Sequence, residues 1–413
     1  MSVFLALAAA LREHGHEIVF FCIPMNVARI RERGFEYRSI DPDAVSSDTW
    51  DSMMRKMGTL ERGPALKLLG RFEDLRYEAV LRHGPALVER ARLDAMIVDQ
   101  AEACSGSLAE AAGLPWVSVC NGLSLNSEPG VPPCLTAWSY SETRAAVTRN
   151  KLAYAGLNIA WLSRRNLINR YRKAWRLDPH QNLDQTFSPF AQISQQIREF
   201  DFPRRHLPDT FHYAGPLMRG GTGRVEFPWD RLDGRTLIYA SLGTVVNRNA
   251  RLYRIIAEAC SAIQAQLVLS LGGAGNADAY RDLPGSPIVV DFAPQLELLR
   301  RATIAIIHGG LNSALESLGQ GVPLVAIPVS FDQPGVAARV RWVGAGEFIP
   351  SAEIKTHRLR TTVERVLGES SYRDAAKKIQ DALARSGGLN EAVRIIEEVI
   401  RTGRPVVAAG RLN

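Results

Sequence analysis

IIHGGLNSALESLGQGVPLVAIPVSFDQPG, residues 306–335, decides the fold. It reads as a strand, a glycine turn, a helix, a second strand and a polar loop, the repeating unit of an α/β domain with a parallel sheet. His308 stands where the first strand ends, and Gly309 and Gly310 let a ligand approach the backbone closely. Asn312 or Ser313 is expected to cap the helix. The free N–H groups and the dipole of such a helix start suit a phosphate group. Glu316, one turn further on, suits a ribose, because a carboxylate can accept from both hydroxyls of a diol. Asp332 and Gln333 follow the next strand at the same edge, where a carboxylate beside an amide suits the hydroxyls of a hexose.

The alternation extends on both sides. Strands are expected at 236–240, 266–271, 287–290, 303–307 and 323–327, with helical segments at 252–263 and 313–318 and an amphipathic helix at 391–401. Upstream, a helix ends near Gly15 and strands follow at 17–22, 95–98 and 116–119. Residues 50–92 read as charged helices, 121–133 as a loop, and 141–176 as helical with basic positions at Arg164, Arg165, Arg170, Arg172 and Lys173. Gly220, Gly221 and Gly223 mark a linker. The expected organisation is a domain at 1–217, a linker at 218–233, a second domain at 234–386, and a helix and tail at 387–413 packing back toward the first domain.

At 413 residues the chain is long enough for two cores. The 50 basic residues exceed the 43 acidic ones by only seven, and no basic run carries interleaved aromatics, so nucleic acid is not an expected partner. The five cysteines are scattered without metal-ligand spacing and suit a reducing cytoplasm. No apolar run is long enough to span a bilayer, which leaves at most peripheral contact with the inner face of a membrane. Gly273-Ala274-Gly275 follows a strand, but it lacks the third glycine of a dinucleotide fingerprint.

His308, Gly310, Asn312, Ser313 and Glu316, followed by Gly321-Val322-Pro323 and Asp332-Gln333, resemble the donor signature of the family-one UDP-sugar glycosyltransferases. Ser241-Leu242-Gly243-Thr244 and Phe292-Ala293-Pro294-Gln295 are similar to further parts of it. The resemblance implies a GT-B fold: two Rossmann-like, doubly wound domains facing across a cleft, the N-terminal one for the acceptor and the C-terminal one for the nucleotide sugar. It implies that His308 contacts the diphosphate, with Ser241, Gly243, Thr244, Gly310, Asn312 and Ser313 around it. Glu316 and Gln295 then hold the ribose, Phe292 stacks on the base where relatives often have Trp, and Asp332 and Gln333 hold the sugar. Within the family the chain is most similar to bacterial zeaxanthin glucosyltransferases, through Ile97-Val98-Asp99-Gln100, Phe187-Ser188-Pro189, Ala191-Gln192-Ile193-Ser194, Asp201-Phe202-Pro203 and the run from Phe331 to Ala337. The implied reaction is inverting transfer of glucose from UDP-glucose to a hydroxyl of a lipophilic acceptor such as a carotenoid, with no metal and no tightly bound cofactor.

The family's base is a histidine on the loop after the first strand, oriented by an aspartate for which Asp99 is the match. Here Met1 falls inside or just before the first helix, so the first strand and the histidine loop are missing from the N-terminal domain. His14 and His16 flank the turn at Gly15, at the opposite edge of the sheet, and do not substitute. The preferred expectation is that the natural start lies upstream; the other is that the chain is impaired. Two further readings are kept: transfer to a polyketide or other small aglycone, and a non-catalytic helper that binds the nucleotide sugar.

Overall fold

A computed structural model describes residues 1–22, 27–40, 52, 62–218, 225–243, 249–273 and 277–408. Thr244, the linker glycines Gly220, Gly221 and Gly223, the pair Ala274-Gly275, residues 53–61 of the charged helical stretch and the last five residues of the tail lie outside them. The N-terminal half runs α1 (Ser2–Glu13), β1 (Val19–Cys22), α2 (Val27–Glu32), β2 (Glu36–Ser39), α3 (Arg62–Ala91), β3 (Met96–Asp99), α4 (Ser105–Ala111), β4 (Trp116–Cys120), α5 (Arg144–Ala160), α6 (Leu162–Ala174), β5 (Ala191–Ser194) and β6 (Phe211–Tyr213). The C-terminal half runs β7 (Thr236–Ser241), α7 (Ala250–Ser261), β8 (Ala265–Ser270), β9 (Ile288–Val290), α8 (Gln295–Leu299), β10 (Ile304–Ile307), α9 (Leu311–Gly319), β11 (Leu324–Ala326), α10 (Gln333–Trp342), β12 (Gly346–Phe348), α11 (Thr356–Gly368), α12 (Ser370–Arg385) and α13 (Gly388–Thr402).

The C-terminal strands form one parallel sheet in the order β12-β11-β10-β7-β8-β9. The chain winds outward from β7 to β9, then returns to the other side of β7 as β10. Period-two alternation divides the core between the two faces. Leu237, Tyr239, Ala305, Ile307 and Leu324 pack on the side that α9, α10 and α12 cover. Ile238, Ala240, Ile304, Ile306 and Val325 pack on the side of α7 and α11. Strands buried on both faces read as continuous apolar runs, which is why they are visible in the sequence.

The N-terminal strands fall into two parallel sheets, β1-β2 and β3-β4-β5-β6. No strand among the described residues joins β1 to β3. Helix α1 packs against both sheets. Val3, Leu7 and Leu11 join Val117, Val119 and Ile193, and Leu5 and Ala8 join Ile30 and Phe35. Helix α13 packs beside α1 over the same core with Ala392, Val393, Ile395, Ile396 and Val399. Its approach depends on Gly215 (φ +92°), where a Cβ would fall 2.2 Å from Ser386 Oγ. The tail is then held by Val406 N–H on Phe190 O (2.8 Å) and Ala408 N–H on Asp209 O (2.8 Å).

One buried ion cluster joins the halves. Asp201 accepts from Arg339 Nε of α10 at 2.7 Å, from Arg204 Nε at 3.3 Å and from the Tyr213 hydroxyl at 2.8 Å. Arg339 also lies over the Phe202 ring at 4.4 Å, and Phe202 meets Trp342 edge-on. Burial alone would raise the Asp201 pKa, but the two guanidinium groups outweigh it and hold the carboxyl below its ordinary value. We expect Asp201→Ala to cost about 3–5 kcal/mol, the usual cost of leaving a buried charge without its partner. Urea unfolding measures this, and a loss under 1 kcal/mol would show that the cluster does not hold the halves together.

Candidate active site

The sheet order reverses between β7 and β10, whose registers end together at Ser241 and Ile307. Ligands of open α/β sheets bind at such a switch point, outside the carboxyl ends of the strands. His308 follows β10 there. Its imidazole lies between two glycines: a Cβ on Gly243 (φ +74°) would stand 2.5 Å from its Cε1, and one on Gly310 would stand 2.5 Å from its Nε2. Neither position admits a side chain while the ring keeps its place. Burial lowers the pKa of His308 to about 4, against the opposing pull of the Ser241 backbone, so the ring is neutral at pH 7. Its Nδ1 is buried without a hydrogen-bond partner. A buried polar atom left unpaired in a native site calls for a ligand or water.

Helix α9 begins beside it. The expected cap at Asn312 or Ser313 is not formed: the N-cap is Gly310, with extended backbone and no side-chain cap. Asn312 and Ser313 lie inside the first turn, and Asn312 Oδ1 is buried and unpaired. The reason is positional. The glycine turn delivers the chain into helical geometry two residues earlier than the polar pair suggests. The first-turn N–H groups therefore lack a competing side chain, which leaves them for a phosphate. Glu316, one turn on, accepts from Gln295 Nε2, and Gln295 accepts from the Tyr239 hydroxyl at 2.9 Å. Burial raises the Glu316 pKa, and the bond from Gln295 opposes this. The ring of Phe292 is 56% exposed and its Cζ stands 2.6 Å from where a Gly273 Cβ would lie. An aromatic face open to solvent beside bare backbone suits a planar base.

Asp332 is the N-cap of α10, and its carboxylate turns to the other half of the molecule. Oδ2 accepts from Leu123 N–H at 2.9 Å, and a Cβ on Gly122 would fall 2.5 Å from it. Burial raises the Asp332 pKa and the Leu123 N–H lowers it. Gln333 uses Oε1 to accept from Val329 N–H (2.8 Å) and Ser330 N–H (3.0 Å), so it holds its own loop and has only its amide N–H groups to offer a ligand. Between them and β11 stands Phe331, 49% exposed with a left-handed backbone (φ +54°). That conformation is unfavourable for a bulky residue and marks the loop as one the site constrains. Periodicity gives no signal for it, nor for the Gly122–Leu123 contact.

Asp99 ends β3 in the N-terminal half. Its Oδ1 accepts from Ala101 N–H at 3.0 Å, and burial raises its pKa against that bond. The charged groups acting on it are the Met1 α-amine and Arg76, with Asn121 as a further hydrogen-bond partner; none is a histidine. His14 and His16 both contact Glu397 of α13, at 2.9 and 3.2 Å, in keeping with a structural role. Ser241, Gly243, Phe292, Gln295, His308, Gly310, Asn312, Ser313 and Glu316 thus lie along the carboxyl edge of the C-terminal sheet, Asp332 bridges to the N-terminal half, and Gln333 closes its own loop.

Comparison with known proteins identifies the family and the fold. Residues 254–399 match the family described as Erythromycin biosynthesis protein CIII-like, C-terminal domain. The chain is 37% identical to a zeaxanthin glucosyltransferase of Pantoea ananas over 336 residues, 80% of this chain and 77% of the relative. It is 32% identical to a zeaxanthin glucosyltransferase of Pseudescherichia vulneris over 398 residues, 96% and 94% of the two chains. The crystal structure of the glycotransferase of kitacinnamycin superposes with a TM-score of 0.72 at 20% identity, over 95% of this chain and 94% of that one, which shows the GT-B fold.

Gly243→Ala and Gly310→Ala should each displace the His308 ring and weaken binding of a nucleoside diphosphate by about tenfold or more, the equivalent of one lost hydrogen bond to a charged group. Calorimetric titration reads the change; unaltered affinity in both variants would mean that the ring does not serve the ligand.

Proposed function

The chain belongs to the glycosyltransferase family of the zeaxanthin glucosyltransferases, and from that premise we propose that it transfers glucose from UDP-glucose, with inversion, to a hydroxyl of a lipophilic acceptor such as a carotenoid. The observation that carries the donor reading is the unpaired Nδ1 of neutral His308, set between two obligatory glycines at an uncapped helix start. The set fits a diphosphate, which His308 and the α9 N–H groups meet with hydrogen-bond donors. No metal is needed for that contact. Gln295 and Glu316 fit the ribose, Phe292 the uracil, and Asp332 with the Gln333 amide the glucose hydroxyls. In the transfer, the acceptor oxygen attacks the anomeric carbon from the face opposite the diphosphate. The bond from that carbon to the β-phosphate oxygen breaks with its electron pair leaving on UDP, and the acceptor proton goes to a base. The donors at His308 and α9 favour this step because charge builds on the leaving oxygen.

Asp99 is the carboxylate proposed to orient the base. It sits at the carboxyl edge of the N-terminal sheet, in the part proposed to hold the acceptor. A second reading is binding of the nucleotide sugar without turnover, which a turnover measurement decides. A lipophilic acceptor would also bring the protein to a membrane surface as a peripheral partner. No helix among the described residues is long and apolar enough to cross a membrane.

Calorimetry with UDP and UDP-glucose tests the donor reading. UDP should bind equally with and without EDTA. Glu316→Ala should weaken UDP by about 10- to 100-fold, the loss of one hydrogen bond to a charged group. Asp332→Ala should leave UDP affinity intact and weaken only the sugar-bearing ligand. Equal UDP affinity in wild type and Glu316→Ala would overturn the ribose assignment.

The base is tested by turnover. In a chain carrying a histidine-bearing loop ahead of α1, Asp99→Ala should lower the rate strongly, toward the 10²–10⁴-fold typical of a lost general base. An unchanged rate would show that Asp99 does not serve the base.

A further inference from the structure

The charge of this protein is concentrated in one place. Residues 141–176, which include α5 and α6, carry nine of the 50 basic residues and one of the 43 acidic ones, Glu142. The other 377 residues hold 41 basic and 42 acidic groups and are nearly neutral. The positive balance of the whole chain thus resides in this helical pair.

The same pair is poorly covered. Of the 17 residues of α5, only Ala146 and Asn150 are buried. Trp161 keeps helical backbone (φ −85°, ψ −8°), and Arg165 N–H bonds its carbonyl at 3.0 Å, so α5 runs on into α6 as one rod. Ala145, Thr148, Leu152, Ala155, Ile159 and Leu162 follow each other at alternating spacings of three and four, and all are exposed. Leu152 is 70% exposed and Ile159 73%, the two most exposed large aliphatic side chains among the described residues. Arg144 and Lys151 flank the stripe, and Arg170 and Lys173 are exposed further along the rod. These four have no ion-pair partner among the described residues. By contrast, Arg164 pairs with Asp74 at 3.2 Å, Arg172 with Glu110 at 2.9 Å, and Arg149 lies 4.4 Å over the Trp138 ring.

We propose that the α5–α6 rod docks on an anionic membrane surface, with Leu152 and Ile159 entering the interface and Arg144, Lys151, Arg170 and Lys173 facing lipid phosphates. A helix with an aliphatic stripe beside unpaired cations has the composition of an interfacial helix, and basic residues are drawn to an anionic leaflet. A second copy of the chain fits less well, because pairing the stripe with itself would set its cations against one another. Nucleic acid would meet charge but would leave the aliphatic stripe exposed.

The placement also serves the reaction. Asn150 of α5 donates to Pro129 O at 3.1 Å, and Tyr154 donates to Val131 O at 3.2 Å. Both anchor the loop whose Leu123 N–H meets Asp332. The docked helix and the proposed sugar end of the cleft therefore share one loop. The surface stands on its own charge and exposure, and only its purpose rests on the lipophilic acceptor.

Flotation of the full chain with vesicles tests it without any turnover. The chain should float with a phosphatidylcholine–phosphatidylglycerol mixture and not with phosphatidylcholine alone, and raised salt should weaken the binding. Arg144→Gln with Lys151→Gln should lower the partition by about 30-fold, the conversion of roughly 1 kcal/mol per basic residue. Leu152→Ser with Ile159→Ser should also lower it, at low and high salt alike. Affinity for UDP should be unchanged in both variants, which separates this surface from the donor site. No flotation of the wild type would overturn the proposal. So would equal binding to both vesicle types, retention on duplex DNA but not on vesicles, or a dimer in light scattering that Ile159→Ser dissolves.

Discussion

The ion pair between Asp201 and Arg339 sets the relation on which the cleft depends. Arg339 lies on α10, whose N-cap is Asp332, and Asp201 lies in the N-terminal half. Fixing the middle of α10 to that half fixes where its first residue points. The distance from Asp332 to the Leu123 N–H is then set by the packing of the two halves. A charge pair with no solvent exposure gains little net stability over apolar packing, because desolvation offsets most of the Coulomb attraction. What it supplies is direction: two guanidinium groups and a phenol satisfy the Asp201 carboxylate in only one arrangement.

At the other end of the donor edge the constraint is steric. The imidazole of His308 fills the space that two side chains would need, and it does so uncharged. Neutrality follows from burial and leaves the ring with one N–H and one lone pair. The diphosphate proposed for this edge would meet donors already oriented and need not displace a salt bridge. The bond between Gln295 and Glu316, tied back to Tyr239, likewise places the carboxylate before any ligand arrives. Preorganisation of this kind lowers the reorganisation that binding would otherwise require.

The legible parts of the sequence were those whose signal is local. The strands β7, β8, β10 and β11 are short apolar runs between turn residues, so their existence is clear and their ends shift by only one or two residues. Strands β2, β5, β6 and β12 gave no such signal. Glu-Tyr-Arg-Ser and Ala-Gln-Ile-Ser do not read as strands, yet the latter is wholly buried. Gln192 can lie inside because it receives Asn126 Nδ2 at 2.9 Å and donates to Ser188 O at 3.2 Å. Such pairing is a tertiary fact, invisible to periodicity. The proposed donor edge stands out in the sequence because glycine, histidine and carboxylate follow in order along one strand–turn–helix. The capping role given to Asn312 or Ser313 failed because residue type alone cannot say which residue first turns helical. The contact of Gly122 with Asp332 depends on loops meeting in space, whereas the turn that Gln333 Oε1 closes and the left-handed Phe331 are local features that periodicity does not register.

The loop from Asn121 to Pro133 is where these separate constraints combine. Beneath it, Gln100 donates to Asn126 at 2.9 Å and accepts from Leu125 N–H at 2.9 Å, while Arg204 donates to Asn126 O at 2.9 Å. Arg204 is also a partner of Asp201, so the ion cluster that orients α10 also holds this loop. Buried amide networks of this sort are costly when incomplete and specify a single conformation when complete. The loop therefore cannot shift at Leu123 without disturbing Asn126, Arg204 and, through Asp201, the helix that carries Asp332. The proposed sugar end of the donor site and the loop of the N-terminal half thus rest on one connected set of buried polar contacts, because Arg204 and Arg339 share Asp201 and Arg204 also holds Asn126.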